Sequence, residues 1–144
     1  MVEIYNGHKI MIDTNCFIYL IEGERYPHFL PLVEDLFNSV KDGKSQGLTS
    51  PITLTEIMTL PRKLGLEDLA YMYKALIINF PNLEIKPIDA LIADRAAALR
   101  GAYNLRTPDA LQVATGLVHG ASMFVTFDKD LKRLAPMINV VIPG

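Results

Sequence analysis

The stretch Ile10-Met11-Ile12-Asp13-Thr14-Asn15 decides how this chain is read. Three consecutive apolar residues predict a fully buried strand, and that strand runs straight into a carboxylate followed by a hydroxyl and an amide. A charge in such a place demands a use. Three further acids stand at comparable junctions: Glu56 after the apolar run ending near Ile52, Asp109 at a helix start, and Asp128 just beyond Met123-Phe124-Val125-Thr126. The expectation is that Asp13, Glu56, Asp109 and Asp128 converge on one divalent-metal site.

Working outward, the first strand is predicted over His8 to Ile12, with Thr14 or Asn15 able to cap a helix that begins at once. Pro27 to Lys41 carries Phe29, Leu32, Val33, Leu36, Phe37 and Val40 at spacings of three and four, an amphipathic helix ended by Asp42-Gly43-Lys44. A second strand is expected over Gly47 to Ile52, then a short helix begun by Thr53 or Thr55, carrying Glu56 and stopping at Pro61. Leu66 to Phe80 reads as a helix whose stripe of Leu69, Met72, Tyr73, Leu76, Ile77 and Phe80 exceeds what one face needs. That surplus either packs into the core or forms a dimer or partner surface.

Leu83 to Ile88 is the third strand, and Asp89 caps a helix with the stripe Ile92, Ala96, Leu99 and Tyr103, into which Gly101 intrudes. Thr107-Pro108-Asp109 is a helix start: a capping hydroxyl, proline at the first helical position, then an acid in the first turn. That helix runs to about His119 and Gly120 closes it. Ser122 to Phe127 is the fourth strand, Asp128 to Leu134 a short helix, and Asn139 to Ile142 the fifth strand. Strands alternating with helices at this spacing imply a three-layer α/β/α sandwich around a mostly parallel sheet, a single domain spanning residues 1–144.

Composition narrows the classes. With 144 residues, 50% hydrophobic and 21% charged, the chain is globular and long enough to bury a substantial core. No apolar run is long enough to cross a bilayer and no secretory leader opens the sequence, so a cytoplasmic protein is expected. The single cysteine, Cys16, has no internal partner and reads as a small core residue. A net charge of −2 argues against gripping nucleic acid by charge alone. Clustered carboxylates lower that total and are cancelled by bound cations, so a nucleic-acid substrate stays open.

In an open parallel sheet, sites form outside the carboxyl ends of the strands, where strand order reverses. Asp13 and Asp128 both follow a buried strand, so they can sit side by side on that rim if the first and fourth strands are neighbours. Carboxylates gathered there repel one another unless a cation lies among them. All-oxygen ligation points to Mg²⁺ or Mn²⁺ rather than zinc. Such an ion activates water and neutralises phosphate charge, which makes a phosphodiester the natural target. Taken singly, Asp109 is an ordinary first-turn acid and Asp128 an ordinary cap; the set of four carries the reading. Two alternatives are weighed: a small-molecule phosphohydrolase, against which Asn15 occupies the second place of an Asp-x-Asp pair, and an inactive scaffold or RNA-binding module, which would show a missing acid.

Ile12-Asp13-Thr14-Asn15, Leu54-Thr55-Glu56, Leu105-Arg106-Thr107-Pro108-Asp109-Ala110-Leu111 and Val125-Thr126-Phe127-Asp128-Lys129-Asp130-Leu131 together resemble a PIN-domain ribonuclease, most closely the VapC type of toxin from toxin–antitoxin pairs. The resemblance implies a five-stranded parallel sheet and Mg²⁺- or Mn²⁺-dependent cleavage of RNA. It places Asp13 and Asp109 as principal ligands, Asp128 as a direct or water-mediated ligand, and Glu56 as the residue that positions or deprotonates the attacking water. It also implies supporting hydrogen bonds from Asn15 and Thr126, an accessory acid at Asp130, a homodimer, and a cognate antitoxin that occupies the groove. Arg106 is the candidate phosphate contact, with a structural salt bridge as its alternative role. Phe127 departs from the small or polar residue of many relatives. The basic residues Arg62, Lys63, Arg106, Lys129, Lys132 and Arg133 are scattered rather than clustered.

Overall fold

The structure, a computed structural model, describes residues 3–144. Strand β1 (Lys9–Ile12) lies at the centre of a five-stranded sheet in the order β3-β2-β1-β4-β5, and each neighbouring pair is parallel. The other strands are β2 (Gln46–Thr49), β3 (Leu83–Ile85), β4 (Met123–Val125) and β5 (Val140–Val141). Successive side chains of a strand face opposite ways, so β1 feeds two cores. Ile10 and Ile12 join Met123 and Val125 under helices α1 (Thr14–Ile21) and α2 (Leu30–Lys41), with α3 (Pro51–Lys63) and α4 (Glu67–Ile78) on the same side. Met11, Leu48 and Phe124 face α5 (Ala90–Tyr103) and α6 (Thr107–Val118) on the other. Both faces are covered, which is the three-layer α/β/α arrangement expected.

Strand order reverses between β1 and β4, whose register pairs Ile10 with Met123 and Ile12 with Val125. The residues that follow these strands therefore emerge side by side. A glycine sharpens the geometry: a Cβ on Gly116 of α6 would lie 2.8 Å from the Cβ of Met11, so the bare backbone lets α6 rest directly on β1.

Several boundaries differ from the sequence reading, each for a local reason. Neither Thr14 nor Asn15 caps α1; Asp13 does, its side chain accepting from Thr14 N. Strand β2 stops at Thr49 because Ser50 caps α3 and Pro51 takes the first helical position, so Glu56 lies in the second turn rather than near the start. Pro61 does not end α3, which continues to Lys63. At the start of α6 the cap position falls on Arg106, and Thr107 is already helical. The segment after β4 is the short helix expected, in the tighter 3-10 form over Lys129–Leu134 with Asp128 as its cap.

Helix α4 buries only Ala70 and Ile77 fully and leaves Tyr71, Met72, Leu76 and Ile78 half exposed, so the apolar surplus faces outward. Among the described residues, no helix is long and apolar enough to cross a membrane.

Candidate active site

Asp13 stands where β1 ends. Its N–H donates to Val125 O at 3.0 Å, tying the end of β1 to β4. Its side chain is buried, with Oδ1 accepting from Thr14 N at 2.9 Å and Oδ2 accepting from Thr126 Oγ1 at 2.8 Å. Burial pushes the Asp13 carboxyl up to about 6; the Thr126 and Thr14 donors pull it down, and the charges of Asp109 and Glu56 push it up again. Asp109 and Glu56 thus act on Asp13 across the rim although they lie 96 and 43 positions away along the chain.

Thr126 is fully committed. Its hydroxyl donates to Asp13 and accepts from Asn15 Nδ2 at 3.3 Å and from Asp128 N at 3.0 Å, using its one proton and both lone pairs. Asn15 completes the frame by accepting from Phe127 N at 3.1 Å. Two residues named for support from the sequence therefore lock the start of α1 to the end of β4.

Glu56 arrives from α3, and its Oε1 accepts the Thr14 hydroxyl at 2.7 Å. Beneath it lies a buried polar network that the sequence reading missed. Gln112 Nε2 donates to Thr53 Oγ1 at 2.9 Å and to Thr14 Oγ1 at 3.3 Å, while Gln112 Oε1 accepts from Ser50 Oγ. With Gln112 supplying donors from below, the Thr14 proton is available for Glu56. One signal marked Gln112: an amide at the third position after Asp109, in the midst of the buried Ala110, Val113 and Ala114.

Asp109 sits in the first turn of α6 and is forked by Arg106, with Nε 3.1 Å from Oδ2 and Nη2 3.4 Å from Oδ1. The Arg106 guanidinium also feels Glu56 and Asp128, after the hydrogen bond and charge of Asp109 itself. Asp128 caps the 3-10 turn, accepting from Asp130 N at 3.0 Å, and the Asp130 side chain pairs with Arg133 at 3.2 Å.

The four acids share one rim. Yet among the described residues no three His, Cys, Asp or Glu side chains close on a common point fit for a metal ion. Both oxygens of Asp109 are turned to Arg106 rather than inward. The donor set still fits a hard cation: Asp13 is a buried carboxylate repelled by two others, and among the described residues no basic nitrogen lies within 4 Å of Asp13, Glu56 or Asp128. Asp13, Asp109 and Asp128 are the residues that could hold it once Asp109 is turned from Arg106.

Phe127, between Thr126 and Asp128, joins an aromatic cluster. Its ring packs edge-on to Tyr19 at 4.9 Å and to Phe29 at 5.2 Å, while Tyr19 and Phe29 stack at 4.4 Å with planes 11° apart. Phe29, expected on the buried stripe of the second helix, instead precedes α2 and contributes here. A cleft of about 220 Å³ beside Glu56 is lined by Ile18, Arg25, Tyr26, Leu60 and Tyr73 among others. Cys16 is buried, as its apolar surroundings in the sequence implied, and burial pushes its thiol well up.

The model of the PIN domain family matches residues 10–136. Among solved structures, the chain is similar to a toxin–antitoxin complex from Klebsiella pneumoniae, at 28% identity and TM-score 0.68, over 94% of this chain and 98% of that one. It is also similar to VapBC2 from Rickettsia felis bound to a DNA fragment from its promoter, at 17% identity and TM-score 0.75, over 94% and 99%. Mycobacterium tuberculosis VapC20, described as a Sarcin-Ricin loop cleaving toxin, matches at 19% identity and TM-score 0.70, over 94% and 99%. The latter two likenesses bear on the fold alone. No curated protein sequence matches.

Proposed function

We propose, from the premise that this chain belongs to the PIN domain family, that it is a Mg²⁺- or Mn²⁺-dependent endoribonuclease and the toxin of a toxin–antitoxin pair. The observation that carries the reading is Asp13: a buried carboxylate at the β1/β4 switch point, burdened by the charges of Asp109 and Glu56, with no basic nitrogen among the described residues to balance it. Asp13, Asp109 and Asp128 would hold the cation, which when bound lowers the pKa of water and screens the charge of the phosphodiester.

The chain's own residues supply the rest. Thr14 holds Oε1 of Glu56 and so leaves the other oxygen to orient the attacking water and take its proton. Arg106 must release Asp109 before that carboxylate can turn inward. Its side chain is 75% exposed, so once free it can meet the substrate phosphate from solvent. Asn15 and Thr126 keep Asp13 aimed, and Asp130 holds an accessory place beside Asp128.

A cognate antitoxin and a homodimer belong to the same reading. The outward apolar residues of α4 offer a surface for either, and an apolar cleft of about 260 Å³ lined by Phe17, Leu20, Ile21, Leu76, Ile77 and Phe80 accepts a partner's apolar side chains. The test is cleavage of RNA by purified protein in Mg²⁺, in Mn²⁺ and in EDTA, beside Asp13→Asn and Asp109→Asn. Metal-dependent cuts by the wild type and none by either folded variant are expected. Cleavage by Asp13→Asn at the wild-type rate would overturn the assignment, and a folded wild type that cuts no RNA in either metal would favour the inactive scaffold.

A further inference from the structure

We propose that the aromatic cluster of Tyr19, Tyr26, Phe29 and Phe127 is a stacking platform for an unpaired base of single-stranded RNA, next to the phosphodiester that is cut. This rests on the ribonuclease reading for its substrate, but its geometry is separate from the acids. The cluster meets the rim at two ends: Phe127 adjoins Asp128 in sequence, and Tyr26 lines the same cleft as Glu56. The rings are contiguous, with Tyr26 4.8 Å from Tyr19 and Tyr19 4.4 Å from Phe29.

On α1, Asn15 and Tyr19 are four residues apart and lie on one face, so the platform begins about one helical turn, roughly 5.4 Å, from the residue that frames Asp13. That spacing suits a nucleotide adjoining the reacting one.

Two observations favour a base over a protein segment here. Tyr19 and Phe29 are near-parallel, and Phe29, against which Phe127 also packs, is 37% exposed. Arg25, largely exposed and paired with Glu22 at 3.6 Å, sits 6.0 Å from the Tyr26 ring and lines the same cleft. The outward residues of α4, in contrast, are mainly aliphatic and form the surface suited to a protein helix. Base–aromatic stacking is tolerant of base identity, and the rings are held in place by one another before any ligand arrives.

The experiment uses oligouridylate RNA hexamers carrying one 2-aminopurine at each position in turn, titrated into the full-length protein in EDTA so that no metal-dependent cut intervenes. Quenching of the probe at one position is expected. Phe29→Leu should abolish that quenching and weaken hexamer binding about tenfold, Phe29→Tyr should restore both, and both variants should keep the wild-type circular dichroism. A hexamer abasic at the quenched position should bind Phe29→Leu and wild type alike. The platform is overturned by undiminished quenching and affinity in Phe29→Leu, or by an equal loss on the abasic hexamer. Quenching without any cleavage in Mg²⁺ or Mn²⁺ would retain the platform and remove the ribonuclease, so the two readings fail separately.

Discussion

Asp13→Asn should make the metal-free protein more stable while removing its activity. A carboxyl held at about 6 instead of 3.8 costs the folded state about 3 kcal/mol once it is ionised. Against this, asparagine forfeits a hydrogen bond. Thr126 Oγ1 already accepts from Asn15 and Asp128, so an amide in place of Oδ2 has no lone pair left to donate to; that loss is about 1 kcal/mol. The net gain is about 2 kcal/mol at pH 8, or about 4 to 8 °C in Tm for a chain of this size.

The sign with pH follows from the raised value. The stabilising contribution of a protonated Asp13 is present in full below 3.8 and is lost as pH rises through about 6. At pH 5 the wild type regains about half of the cost, and the advantage of the variant should fall below about 1 kcal/mol. Urea unfolding of both proteins in EDTA at pH 5 and pH 8 measures this, and comparing the two proteins cancels titrations they share. Mn²⁺ should then raise the Tm of the wild type at pH 8 and leave that of the variant nearly unmoved. A variant less stable than wild type at pH 8 in EDTA would refute the electrostatic account of Asp13.

Gly116→Ala places a methyl 2.8 Å from Met11 Cβ, so α6 must lift from β1; a loss of about 1 to 3 kcal/mol in urea unfolding is expected, with reduced cleavage because Asp109 rides on α6. Gln112→Leu strips the donor from Thr14 and Thr53 and the acceptor from Ser50, which should cost about 1 to 3 kcal/mol and lower kcat through Glu56; unchanged kcat would detach that network from the chemistry. Arg106→Gln frees Asp109, so calorimetry should find tighter Mn²⁺ binding while the KM for RNA rises; weaker Mn²⁺ binding would show that the guanidinium organises the site instead of competing for it.

Much of this was legible in the order of residues. The apolar run ahead of Asp13 and the matching run ahead of Asp128 correctly implied buried strands, because parallel strands covered on both faces tolerate few polar side chains; that the two are neighbours is supplied by the structure. Asp89 and the stripe of Ile92, Ala96 and Leu99 located α5 closely, and Gly101 did not break it. Position-specific chemistry was harder to see. Ser50 and Pro51 started α3 five residues before Glu56 although Thr53 and Thr55 offered equally good caps, and Thr53 proved instead to be a buried member of the Gln112 network. Hydroxyls that cap and hydroxyls that bridge buried groups look alike until packing chooses between them. The fork of Arg106 on Asp109 is the salt bridge that the sequence offered beside a phosphate contact without choosing between them. An Arg three residues before an Asp pairs on a helix whether or not the acid has another use.

The basic residues bear on how an acidic chain can take RNA. Arg62 pairs with Glu67, Lys132 donates to Val140 O at 2.6 Å, and Arg133 is divided between Asp130 and Tyr103 O, so these three cations are tied to the fold. Beside the acids and the aromatic cluster this leaves Arg25 and Arg106, each paired with one acid, and the exposed Lys129, too few for a charged track. Affinity built on phosphate neutralisation would fall with a slope near −0.7 in log K against log salt for each contact on a single strand. With so few cations free, the slope for an RNA hexamer in EDTA should be shallow, about −1 to −2, and much of the binding free energy should survive raised salt as stacking does. A slope steeper than about −4 would require a basic surface assembled by other means, such as a second copy of the chain, and would move the search for the RNA path away from the aromatic rim.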